Sequence, residues 1–426
     1  MSMMPLELDL ESSAKGMAGY FSEYELIEHR TNNESVLESS IFTIVLKNSS
    51  DYTNLSESYL QVNFRLVNEA NNAALGAART TLANGISSMF SRLTVRVNGQ
   101  VSEVVERCDL ASLVRGTVLY SQDYAQNASN FFYYKNTGSG DSVAAAGDNA
   151  GFDSRLARTG NSLKCSAFIA MSELSGFCSV DKLLVNQEVS FEFTKSQSSE
   201  HIMAEATAGK MLVDRMSVWS PRIVLEPSAD LTIKKSISSG LSSPFDFHNW
   251  SAYVSPTLNS AQGTYRVITT SEEVDYVYVG VRQVTGTQVV GADNNPQRML
   301  QNWQSCEISL NGRRYPLTRY NNLQDGAGSV GSVGLARAYN GLVKSANDKT
   351  DYSNGINLTF DEFKNNQTIL CFDLTAKAFN WSKSQSTIEV HYDLSAFADS
   401  QLVVTLVSKK NVMVSYQGGQ AVVSVA

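Results

Sequence analysis

The sequence predicts an all-β chain of two tandem eight-stranded jelly rolls, a double jelly roll, with short helices confined to loops. Three observations carry that expectation. A ten-residue pattern occurs twice: Phe90-Ser-Arg-Leu-Thr-Val-Arg-Val-Asn98-Gly99 and Trp303-Gln-Ser-Cys-Glu-Ile-Ser-Leu-Asn311-Gly312, 213 positions apart in 426 residues. Each copy starts with an aromatic residue, alternates, and ends in Asn-Gly, a pair that accepts positive φ at both positions of a tight hairpin turn. Short alternating runs recur through both halves, about eight in each, which is the strand count of a jelly roll. The length suits two domains of about 200 residues.

The alternation sets Leu93, Val95 and Val97 on one side of a strand, and Cys306, Ile308 and Leu310 on one side of its counterpart. Residues 1–34 form an acidic N-terminal arm: Glu7, Asp9, Glu11, Glu23, Glu25, Glu28 and Glu34 face only Lys15 and Arg30. Leu6, Leu8 and Leu10 alternate with Glu7 and Asp9, so the arm begins as a strand-like edge able to add to a neighbour's sheet. The first roll is expected over 35–225. Phe42, Ile44 and Leu46 alternate, and Leu60, Val62, Phe64 and Leu66 share a face opposite Gln61, Asn63 and Arg65. Asp109 is placed to cap a short helix with Leu110, Leu113, Val114 and Val118 on one side. Strands resume near 167–171, 189–193 and 211–225, with a turn or short helix over 179–185.

Residues 226–244, rich in Ser and holding Pro227, Gly240 and Pro244, read as a linker. The second roll, 245–426, has strand patterns near 265–269, 273–284, 306–310, 369–374, 388–394 and 402–407, a terminal hairpin over 412–425, and a helical candidate over 338–344. The Gly/Ala/Ser-rich segments 136–151 and 325–336 are expected to be mobile loops on one exposed face.

Composition excludes several function classes. Hydrophobic residues make up 42% and charged residues 18%, the balance of a chain that builds a core. Lys and Arg number 34 against 42 Asp and Glu, and this acidic balance opposes phosphate-backbone binding as the main role. Arg92, Arg96, Arg107 and Arg115 are read as scattered surface arginines. The five cysteines, Cys108, Cys165, Cys178, Cys306 and Cys371, include no Cys-x-x-Cys pair and read as reduced, buried thiols. The N-terminus lacks the basic and apolar regions of a signal peptide, and no window approaches a membrane span, so Asn-x-Ser/Thr triplets such as Asn54-Leu-Ser56 carry no glycosylation expectation.

The chemical motifs are sparse. Residues 326–331 match G-x-G-x-x-G with Asp351 twenty positions on, but Tyr320-Asn-Asn-Leu-Gln-Asp325 reads as a loop before the glycines and Ser-Val-Gly follows them, where a dinucleotide site requires a strand and a helix, so a surface loop is expected. His29, His201, His248 and His391 are too far apart in sequence to suggest a metal pair. His248 beside Asp246 is a weak acid–base pairing, with a packed aromatic turn the stronger reading, and His391 reads as a solvent-facing or hydrogen-bonded strand residue. Trp219, Trp250, Trp303 and Trp381 are dispersed and read as packing residues. No catalytic, cofactor-binding or metal-binding residue is assigned, and the chain is not expected to be an enzyme.

The run Asp51-Tyr-Thr-Asn-Leu-Ser-Glu-Ser-Tyr-Leu60-Gln-Val-Asn-Phe, followed by Ile86-Ser-Ser-Met-Phe90 through Asn98-Gly99, resembles the double jelly-roll major capsid proteins of polinton-like viruses, adintoviruses and virophages. Leu183-Leu-Val-Asn186 with its following strand, and 212–221, also fit. Met89 stands where that family usually has Leu, Arg92 where it has Gln, and Glu106-Arg-Cys-Asp where a Tyr-Pro-Tyr-type segment is frequent, the marks of a divergent member. The resemblance implies a homotrimer whose six rolls form a pseudo-hexameric capsomer of an icosahedral, double-stranded DNA virus shell. It also implies neighbouring capsomers, penton and minor capsid proteins as partners, no sequence-specific nucleic acid contact, and a virion protein made inside the host cell and not secreted. It carries no expectation for an inner membrane. Two other classes stay open: a tandem β-sandwich binding module, lectin- or adhesin-like, and an enzyme on a jelly-roll scaffold.

Overall fold

The computed structural model describes residues 13–31, 38–48, 51–120, 147, 149–240, 242–268, 273–284, 295–324, 333–347, 358–375, 387–417 and 420–425. The first roll contains eight long strands: β1 (Phe21–Arg30), β2 (Ile41–Asn48), β3 (Tyr59–Asn68), β4 (Phe90–Val97), β5 (Gln100–Glu106), β6 (Cys165–Ala170), β7 (Gln187–Lys195) and β8 (Gly209–Leu225). They form two antiparallel sheets in the orders β1-β8-β3-β6 and β2-β7-β4-β5. The second roll repeats the plan with β9 (Ser242–Val254), β10 (Gln262–Ile268), β11 (Glu273–Gln283), β12 (Trp303–Leu310), β13 (Arg313–Asn321), β14 (Leu370–Asp373), β15 (Thr387–Leu394) and β16 (Ser400–Gln417). Its sheets run β9-β16-β11-β14 and β10-β15-β12-β13. Adding eight to every strand number of the first roll thus reproduces the second. A final strand, β17 (Gln420–Val425), folds back on β16.

Alternation puts the expected faces inward. Phe42, Ile44 and Leu46, then Leu60, Val62, Phe64 and Leu66, are fully buried, as are Leu93, Val95 and Val97. In β12, Cys306, Ile308 and Leu310 are buried likewise. Val95 sits between Phe191 of β7 and Glu103 of β5 in register. Each such side chain contributes roughly 1.5–3 kcal/mol by leaving water, and one continuous apolar core runs through both rolls.

Several expectations change. Residues 21–30 are not part of a free arm: β1 pairs with β8 from Phe21 to Arg30 and is an outer strand of the first roll. Its Ser-Glu-Tyr-Glu-Leu-Ile-Glu sequence lacks a clean apolar face because the strand is half exposed on both sides. The stretch 226–244 is not a bare linker. It holds α3 (Pro227–Ser238), with Pro at the first helical position and Ala229, Ile233 and Ile237 buried at intervals of four; β9 then starts at Ser242. Asp109 is no cap: the α1 helix (Cys108–Leu119) starts after Arg107, and Asp109 lies in its first turn, buried. The expected apolar side holds, with Leu110, Leu113, Val114 and Val118 all buried.

Further helices lie in loops, among them α2 (Ala150–Thr159) before β6 and α4 (Val333–Asn347), which contains the 338–344 candidate and buries Leu335, Ala338, Leu342 and Ala346. Residues 150–151 and 333–336 are therefore helical and not part of the expected loops, and a helix does follow the 326–331 glycines. The expected strands at 402–407 and 412–416 are one long strand, β16. Leu6, Leu8 and Leu10, most of 136–151, and 325–332 lie outside the described residues.

Candidate functional site at the seam between the rolls

The most elaborate polar constellation lies where the rolls meet. Strand β5 is the outer strand of its sheet, and its edge is covered by β9 of the other roll. Asn249 Nδ2 donates to the Val104 carbonyl at 3.2 Å, and the Glu106 amide donates to Ser251 Oγ at 3.3 Å. Phe177 stacks on Phe245 with centroids 5.2 Å apart and meets Phe247 edge-on at 5.9 Å. Gly176 has no side chain because a Cβ there would come within 2.2 Å of the His248 carbonyl oxygen. Gln187 Nε2 donates to the Tyr416 hydroxyl at 3.1 Å, a buried bond between rolls.

Glu103 is buried beneath this seam and accepts from Ser175 Oγ at 2.5 Å and from the Gly176 and Phe177 amides at 3.0 Å each. Burial pushes its carboxyl above the ordinary range, and those three donors pull it part of the way back. Neighbouring it is an ion cluster that joins the rolls. Arg282 of β11, its side chain 2% exposed, reaches Glu200 at 2.5 and 3.2 Å through its two terminal nitrogens. Glu200 also accepts from Arg107 at 2.9 Å, and Arg107 forks onto Asp109 at 3.0 and 2.8 Å. Burial works against the Arg107 charge, but Asp109 and Glu200 outweigh it and hold the guanidinium more firmly protonated than usual. Sequence spacing gave no sign of this cluster, because its members are contributed by α1, the turn Ser198–His201 and β11. The one local hint is Arg107-Cys-Asp109, where the left-handed backbone at Arg107, φ 47°, folds its side chain over Asp109.

The fold disperses the histidines, cysteines, tryptophans and arginines that the sequence singles out. His248 pairs with Asp275 at 3.0 Å rather than with Asp246, which accepts from Asn411. Lys409 sits on the other Asp275 oxygen at 3.1 Å, so that Asp275 joins both side chains on the sheet face. His391 is hydrogen-bonded between Thr264 and Ser309 on β15, as read from its alternation. His201 is buried, with Nδ1 against the Gln197 carbonyl at 2.8 Å, and His29 meets Ser220 at 3.1 Å. All five cysteines are buried and free. Trp303 is in the core, Trp250 stacks on Tyr278, and Trp219 stacks on Tyr59; Trp381 lies outside the described residues. Arg92 pairs with Glu106, and Arg115 donates to the Ser172 and Glu173 carbonyls, so no basic face assembles from the four arginines. Among the described residues, no three His, Cys, Asp or Glu side chains are grouped to hold a metal, and no helix is long and apolar enough to cross a membrane. The glycine motif at 326–331 and Asp351 lie outside the described residues.

No family model and no curated protein matches the sequence. Solved structures do match its fold. A chain of the Sputnik virophage cryo-EM structure aligns with TM-score 0.60 at 12% identity, over 95% of this chain and 89% of its own. A chain of the PBCV-1 virus capsid aligns with TM-score 0.55 at 12% identity, over 96% and 98%. The mavirus major capsid protein aligns with TM-score 0.52 at 9% identity, over 95% and 90%. Across nearly its whole length, the chain therefore has the double jelly-roll fold of the mavirus major capsid protein and of the PBCV-1 capsid chain.

Proposed function

We propose that this chain is a viral major capsid protein, three copies of which form a pseudo-hexameric capsomer that tiles an icosahedral shell. One observation carries the reading: two rolls of identical strand order are locked into one body by a buried seam, in a fold shared end to end with capsid chains. Two like wedges per chain become six near-equivalent wedges around a three-fold axis, the shape a hexagonal lattice accepts. The role is structural and not enzymatic, the protein resides in the virion after assembly in the host cell, and penton and minor capsid proteins complete the shell. A lectin-like tandem module would leave its rolls independently hinged, and the seam argues against that.

Residues 1–12 act as an assembly arm in this reading. Ser13 Oγ already anchors the chain on Asp181 at 2.5 Å, so removing 1–12 leaves both rolls folded and impairs shell assembly only. The deciding measurement is the native mass of the purified protein, with electron microscopy of its assemblies. Three times the 46.6 kDa chain mass, and hexagonal particles, are expected. A monomer at every concentration refutes the capsomer.

A further inference from the structure

The two rolls expose complementary edges, and the seam inside the chain says what each is built to meet. Within the chain, β5 of the first roll lies against β9 of the second. Covered in this way, β9 buries Ser243, Phe245, Phe247, Asn249, Ser251 and Ala252. The strand that matches β9 in the first roll is β1, and no residue of Phe21–Arg30 is buried. Tyr24 and Leu26 on it are 49% and 40% exposed. The strand that matches β5 in the second roll is β13, the outermost of its sheet among the described residues. Its pairing with β12 jumps from Tyr315 opposite Ile308 to Tyr320 opposite Cys306, so residues 316–319 bulge from the edge. Leu317, in that bulge, is 95% exposed.

Charge agrees with shape. Strand β13 carries Arg313, Arg314 and Arg319 and no acidic residue, with Arg314 paired to Glu307 at 3.3 Å, whereas β1 carries Glu23, Glu25 and Glu28 against Arg30, with Arg222 3.8 Å from both Glu23 and Glu25 and Arg215 on Glu28. Opposite potentials on two exposed strands favour their encounter and oppose like-with-like pairing. The contact joins unlike surfaces, so every copy uses β13 once and β1 once. Such a head-to-tail contact makes a closed ring if its rotation closes.

We propose that β13 of one copy docks on β1 of a second copy, Leu317 against the Tyr24–Leu26 surface, repeating between chains the junction that β5 and β9 make within one. This deepens the capsomer reading and rests on it for the number of copies in the ring.

The test uses full-length chains carrying Leu317→Asp or Leu26→Asp. Both positions are exposed in the single chain, so both variants keep the wild-type near-ultraviolet circular dichroism. Each is expected to need about 30-fold more protein than wild type to assemble. Mixed one to one, the two variants have a single intact contact between them and form two-copy species without rings. Hydrogen exchange on the wild type adds a readout free of mutation: β1 and β13 amides gain protection on assembly. Variants that assemble like wild type, a mixture that restores rings, or unchanged exchange at both strands would overturn the contact while leaving the capsomer standing. A wild type that stays monomeric overturns the capsomer itself.

Discussion

Asn98 and Asn311 hold the same corner of their rolls by the same pair of bonds. The Asn98 amide donates to the Glu188 carbonyl at 2.8 Å, and the Glu188 amide donates back to Asn98 Oδ1 at 2.8 Å. The Asn311 amide donates to the Thr387 carbonyl at 2.9 Å, and the Thr387 amide donates back to Asn311 Oδ1 at 2.9 Å. Each asparagine turns one hairpin and also pins the first residues of the next strand in the sheet. Both turns are left-handed at both positions, with φ of 49° and 79° at Asn98-Gly99 and 50° and 83° at Asn311-Gly312.

Asn98→Ala removes the side-chain acceptor and forces a Cβ residue with no local compensation into positive φ. A loss of about 1–2 kcal/mol is expected, and Asn311→Ala should lose a similar amount because the bonds are the same. Urea unfolding of both variants checks this. A large loss at one site and none at the other would mean that the corners are not equivalent in energy.

Val95→Asp should abolish folding. The Val95 side chain is 0% solvent-accessible and lies in register between Phe191 and Glu103. A carboxylate there loses its water in an apolar core and would sit opposite Glu103, a buried acid on the next strand, at a cost of several kcal/mol. Expression and gel filtration of the variant give the readout: soluble protein with wild-type elution would contradict the core assignment.

The repeat was legible because β4 and β12 are inner strands with one dry face, so selection for burial writes strict alternation into Leu93-Val95-Val97 and Ile308-Leu310. Outer strands carry no such record. β1 and β13 are exposed on much of their surface, and neither shows a clean period. Helix α3 hid for a different reason: only Ala229, Ile233 and Ile237 face inward, and the Ser residues around them read as loop. Pro227 followed by apolar residues four apart was the available signal. The seam cluster was illegible altogether, since Arg107, Glu200 and Arg282 are joined by topology and not by spacing.

The contribution of His201 to stability should fall between about pH 6.5 and pH 4. Burial, aided by nearby Lys195, pushes the His201 imidazole down to about 4, while the Gln197 carbonyl and Glu200 act the other way. A group whose folded pKa lies below its unfolded value binds more protons in the unfolded chain over that interval. Its stability contribution is therefore complete above pH 6.5 and is lost as pH falls toward 4, by about 3 kcal/mol. His29, also lowered by burial, adds in the same direction. Glu103, raised by burial, acts oppositely. Comparing wild type with His201→Gln cancels the contributions of the other two, so the difference between their stability–pH curves should narrow as pH falls through that interval. Parallel curves would show that His201 does not titrate on unfolding.

The Arg282–Glu200 pair should govern whether the rolls unfold together. Glu200 bridges Arg107 of the first roll and Arg282 of the second, and the Arg282 side chain is 2% exposed. Glu200→Gln leaves that guanidinium buried beside a neutral partner. Removing one member of a buried pair costs about 3–5 kcal/mol, because the remaining charge keeps its desolvation penalty without its counter-ion. The loss falls on the seam, so calorimetry should resolve the single wild-type transition into two, one for each roll. Glu200→Leu with Arg282→Met removes both charges together and should recover most of the loss and the single transition. The Arg92–Glu106 pair is the control, since its side chains are 50% and 41% exposed and an exposed pair is worth at most about 1 kcal/mol. If Glu200→Gln costs no more than Arg92→Ala, the seam is held by its apolar contacts, Phe177 on Phe245 and Phe247, and the ion cluster only fills space between the rolls.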